Sequence, residues 1–131
     1  MNIYKSFCII SLLSIFFWGC TENEEKVISI DGLWADSTGS NFSDCYAVFA
    51  QEGNQIYMGH FLKFNEQPFF EKGIGTRVGD TLIYDVKVVQ QIPGWSTAGH
   101  HELIIEDATT LRGSYKDNKG NSGPIVLKRV E

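Results

Sequence analysis

The sequence predicts an all-β domain: an antiparallel up-and-down meander of about eight strands, closed into a small barrel, with a two-sheet β-sandwich as the alternative. Three observations predict it. No stretch after residue 26 carries an apolar repeat at helical spacing. Turn-forming clusters punctuate the chain at residues 37–40 (STGS), 52–54 (EGN), 65–68 (NEQP), 78–80 (VGD), 92–95 (IPGW), 106–110 (EDATT) and 117–121 (DNKGN). Gly, Asn and Asp at such points supply the positive φ of tight hairpins. The runs between them are rich in β-branched and aromatic residues, which suit a pleated, half-buried surface.

The expected strands span residues 31–36, 43–52, 55–64, 68–78, 81–92, 100–106, 110–116 and 121–130. The first holds Gly32 and Trp34. In the third, QIYMGHFLKF, residues Ile56, Met58, His60, Leu62 and Phe64 share one face, with Tyr57, Gly59, Phe61 and Lys63 opposite. Both faces are partly apolar, so the pattern leaves open which one points inward. In the fifth, Leu82, Tyr84, Val86 and Val88 alternate with Asp85 and Lys87. In the last, Ile125 and Leu127 alternate with Val126 and Lys128. Period 2 with short connections means antiparallel neighbours. An open meander leaves two unpaired edges, and closing into a barrel removes them. Gly59, Gly73, Gly75 and Gly113, inside strands, suit the bends a small barrel needs.

The chain divides into three parts: residues 1–19, 20–29 and 30–131. The first opens with Lys5 and continues as an apolar run of roughly 14 residues, ending at Gly19. That is signal-peptide length and short of a bilayer span. The Gly19–Cys20 junction resembles the lipobox of bacterial lipoproteins, with Phe17 and Trp18 departing from its usual pattern. The resemblance implies cleavage before Cys20, lipidation of its sulfur, and a place in the bacterial cell envelope, at the outer membrane on its periplasmic or surface face. Acyl chains on one Cys anchor a protein without a membrane helix, since each buried methylene adds about 0.8 kcal/mol. TENEEK then forms an acidic tether.

The full chain has 11 Lys plus Arg against 16 Asp plus Glu. Loss of residues 1–19 removes Lys5 and leaves a net charge of −6. Such a surface repels phosphate backbones, so a nucleic-acid partner is not expected. Of the three cysteines, Cys8 lies in the signal and Cys20 is consumed by lipid. Cys45 is left without a disulfide partner, as a small buried side chain.

The segment IDGLWADSTGS, with its Gly-x-Trp, resembles the opening of calycins: lipocalins, fatty-acid-binding proteins and avidins. GNQIYMGHF and LRGSY are similar to avidin strands. The resemblance implies a barrel in which Trp34 plugs one end and Gly32 allows close approach. It also implies a small apolar ligand.

IPGWSTAGHHELII gathers Trp95, Ser96, Thr97, His100, His101 and Glu102. A Ser–His nucleophile would need a positioning acid and oxyanion donors, which nothing here specifies. Adjacent histidines on a strand point to opposite faces and do not chelate together. No catalytic residue, metal ligand or cofactor is therefore expected. The expected ligand-lining side chains are Tyr57, Phe61, Tyr84, Trp95 and His101. The functional expectation is a non-enzymatic envelope lipoprotein binding a small, apolar ligand. The alternative is a protein-interaction module, an inhibitor or assembly factor with a filled core. Expected partners are the membrane, through the anchor, and that ligand or an envelope protein.

Overall fold

A computed structural model describes residues 27–39 and 42–130. The signal segment, Cys20 and most of the tether lie outside the described residues. Eight strands follow one another: β1 (Gly32–Asp36), β2 (Phe42–Glu52), β3 (Gln55–Phe64), β4 (Gln67–Val78), β5 (Thr81–Gln90), β6 (Ala98–Asp107), β7 (Thr110–Asp117) and β8 (Ser122–Arg129). Each pairs antiparallel with the next, and β1 also pairs with β8, so the sheet is a closed barrel and not a sandwich. Trp34 stands opposite Ala47 on one side and Arg129 on the other.

Strand limits match the sequence expectation within two residues. β5 ends at Gln90 rather than 92, because Ile92 and Trp95 close a turn through a hydrogen bond of 3.2 Å. β4 starts at Gln67, since Asn65 and Glu66 alone make the turn, both at positive φ. Ile30, the first residue of the expected domain, is fully buried, and Ile28 just before it packs against the core. Apolar side chains at these two positions gain more from burial than a hydrated spacer would.

Alternation puts one face of every strand inside. Gly75 and Gly113 occupy inward positions on β4 and β7. A Cβ at Gly75 would run into the Ile83 carbonyl and the Tyr84 backbone, and one at Gly113 into the Glu102 carbonyl. These two positions let neighbouring strands coil tightly around a narrow interior. On β2, Asp44 and Cys45 oppose Leu62 as a bulge, with Asp44 at φ 49°. The bulge turns Cys45 inward, where it is buried and free.

The two ends of the barrel differ. The hairpin turns after β2, β4 and β6 gather at one end with the segment 27–31. There Trp34 is 0% exposed, donates from Nε1 to the Ile30 carbonyl at 2.9 Å, and carries the Arg129 guanidinium 4.3 Å above its ring. Gly32 has φ 122°, and a Cβ there would sit 3.4 Å from Arg129 Nη1. Arg77, also buried, donates from Nη1 to the Ile28 carbonyl at 2.6 Å and from Nε to the Gly79 carbonyl at 2.8 Å. The other end carries the loops after β1, β3, β5 and β7. A second apolar cluster of Cys45, Leu62, Phe69 and Val88 lies there, with Phe42, Phe64, Ile92 and Trp95 against it.

Candidate functional site

Three strands bring ionisable side chains together inside the second end. His60 projects inward from β3, directly opposite Glu71 on β4. Asp36 reaches in from the end of β1. His60 Nδ1 donates to Glu71 Oε1 at 3.1 Å. Nε2 lies 3.3 Å from Asp36 Oδ2, close enough for an ion pair, but off the line of a hydrogen bond, so that N–H has no aligned acceptor. His60 is 3% and Glu71 6% exposed.

Burial pushes the His60 imidazole down, but the close contacts and charges of Asp36 and Glu71 outweigh it and hold the group at about 9. Burial also pushes Asp36 up, and His60 with Thr38 reverses this, leaving the carboxyl below its ordinary value. The cluster is thus carboxylate–imidazolium–carboxylate at neutral pH. Such a histidine has no free base site, so it holds charge rather than relaying protons.

His101 on β6 shares a hydrogen bond with the Tyr84 hydroxyl at 3.3 Å and packs, tilted, between the Tyr84 and Tyr115 rings at 5.0 and 6.2 Å. Burial depresses its imidazole to about 4, so it is neutral. Above this layer a cavity of about 70 Å³ opens between Asp36, His60, Glu71, His101, Phe42 and Trp95. Trp95 roofs it, at 4.8 Å from both the Phe64 and Phe69 rings and 6.0 Å from Phe42. Loop 91–97 is tied down by Asn118, which bonds both the Thr97 backbone and its hydroxyl, and by Lys119 Nζ on the Gly94 carbonyl.

The expected ligand-lining residues fall into two groups. Trp95 and His101 line the cavity, and Tyr84 is buried beneath it. Tyr57 and Phe61 do not belong to it. They stand on the outer face of β3, 41% and 39% exposed, because Ile56, Met58, His60 and Leu62 take the inward positions. His100 also faces outward, bonded to Asp85 at 2.7 Å, while its neighbour His101 faces in. Ser96 is buried in the cavity wall, and no hydrogen bond joins it to a histidine. Among the described residues no three His, Cys, Asp or Glu side chains are arranged to hold a metal ion. The two carboxylates approach opposite nitrogens of one ring, so their oxygens do not converge.

Sequence reasoning missed Asp36, His60 and Glu71. One signal was visible: His60 interrupts an otherwise apolar face between Met58 and Leu62.

No protein-family model matches the chain. No curated protein matches it either. Among solved structures, a redesigned β-barrel superposes with a TM-score of 0.61 at 17% identity, over 77% of this chain and 91% of that one. The likeness shows a small closed β-barrel.

Proposed function

We propose that this chain is a non-enzymatic, lipid-anchored protein of the bacterial cell envelope whose barrel takes a small ligand at its open end. The observation that carries the ligand reading is the cavity beneath Trp95, with buried charged groups in its wall. Buried ionic groups with incomplete hydrogen bonding destabilise a core unless something compensates them, so they point to use. Typical small-molecule pockets span roughly 300–1,000 Å³, so a cavity of about 70 Å³ takes only a very small molecule. The anchor rests on the apolar run, Lys5 and the Gly19–Cys20 junction.

Two experiments test this. Metabolic labelling with a fatty acid should mark the wild-type protein and not Cys20→Ala; label that persists in the variant sinks the anchor. For the ligand, backbone amide resonances around Asp36, His60 and His101 should move on titration with 2-aminoethanol, ethylene glycol or glycolate. If none of the three moves them, the cavity is not a ligand site.

A protein-interaction module is the second reading, favoured by a different face. Tyr46, Val48, Tyr57, Phe61, Phe70 and Ile74 are all exposed on the outer surface of three adjacent strands, β2 to β4. A photo-crosslinker at position 61 should then give a discrete adduct in the native envelope, and a clean monomer there would remove this reading.

A further inference from the structure

We infer that the cavity beneath Trp95 selects a small protonated amine. The inference deepens the ligand reading above and rests on it.

The charge of the cavity wall favours a cation. Asp36 and Glu71 bring two negative charges to the cavity wall, and the His60 imidazolium cancels one. No Lys or Arg lines the cavity. His101 is neutral, and Asp117 adds a further carboxylate nearer the rim. One negative charge therefore stays uncompensated inside the barrel. A monovalent cation brings the interior to neutrality. A neutral guest leaves the excess charge in place, and an anion adds a second. At short range in a partly desolvated site that difference of sign outweighs small differences in shape.

The walls agree with the charge. Phe42, Phe69, Trp95 and Tyr115 line the same space. Aromatic faces attract organic cations, most strongly where water is excluded. A strongly hydrated metal ion gains less from such walls, and the carboxylates do not converge to replace its water.

Size narrows the class. A cavity of about 70 Å³ holds roughly two to four non-hydrogen atoms. A guest of that size turns its ammonium group to the Asp36 and Glu71 carboxylates and its carbons to the aromatic walls.

The amine–diol pair varies charge at constant size, and glycolate, one atom larger, adds the anion. The full chain is titrated at neutral pH and fixed ionic strength with 2-aminoethanol, ethylene glycol and glycolate, each carrying a hydroxyl. Calorimetry gives affinity, and Trp95 emission and amide shifts report location. 2-Aminoethanol should bind at least about tenfold more tightly than the diol, with glycolate weakest. Asp36→Asn with Glu71→Gln keeps the shape and removes both carboxylate charges, and should abolish that preference. If the diol or glycolate binds as tightly as the amine, the inference falls while the ligand site stands. If none of the three binds, the ligand reading itself has failed. Should the double variant fold poorly, the three-ligand series on the wild-type protein still decides.

Discussion

The two ends of this barrel solve the same problem in opposite ways. At the sealed end, polar groups are satisfied. Buried Arg77 and half-buried Arg129 donate to backbone carbonyls, and Trp34 packs under the Arg129 guanidinium. At the open end, two carboxylates and an imidazolium are buried with one ring N–H left unaligned and an empty volume beside them. The first arrangement stabilises; the second leaves buried charge beside open space. The same eight strands supply both, so the difference lies in which residues occupy inward positions near each set of loops.

The comparison breaks most visibly at the tryptophans. Trp34→Ala should cost about 3–5 kcal/mol, because it removes the largest buried side chain and strands Arg129 above a hole. Urea unfolding measures it, and a loss below about 1 kcal/mol would mean the sealed end is not what holds the barrel together.

Next comes pH. His60 is raised from 6.5 to about 9 in the folded protein. Its contribution is complete below pH 6.5 and is lost as pH rises through 9. His101 is lowered from 6.5 to about 4. Its contribution is complete above pH 6.5 and is lost as pH falls through 4. Each shift corresponds to about 3 kcal/mol. From these two groups, stability should peak near pH 6.5 and fall on both sides. Glu71→Gln should flatten the alkaline arm and His101→Leu the acid arm. A profile flat from pH 5 to 9 would show that the buried charges at the open end are not as described.

Trp95→Ala should destabilise less than Trp34→Ala, by about 1–2 kcal/mol. The loop position alone suggests almost no cost, but three phenylalanine rings pack around this indole. The smallest effect belongs to the outer face. Tyr57→Ser and Phe61→Ser should each change stability by about 0.5 kcal/mol or less and leave ligand binding unchanged. A large loss of binding in either would contradict their outward placement.

Strand number, turns and the inward face of β5 were legible because period 2 and turn chemistry are local. The charged cluster was not, because it depends on register. With strands at 55–64 and 68–78, the hairpin turn would span three residues and set Phe64 opposite Pro68. The actual turn is Asn65–Glu66, which sets Phe64 opposite Gln67 and His60 opposite Glu71. A one-residue slip exchanges the faces of a strand. Tyr57 and Phe61 were placed inside for another reason: both faces of β3 are partly apolar, so period 2 alone does not say which one turns inward. Asp36 was less accessible still, since its meeting with His60 requires β1 to be wound into the closed barrel. Trp95 and His101 were recognisable by their unusual loop, though not by what surrounds them.

The segment 27–31 that crosses the sealed end also fixes a direction. The chain meets the barrel there, at Val27, on the side opposite Trp95 and the cavity. If Cys20 carries lipid, the sealed end is the one leashed to the bilayer, and the cavity faces away from it, toward the aqueous compartment. A ligand would then arrive from water without passing between protein and membrane. Lengthening the leash should leave its capture unchanged.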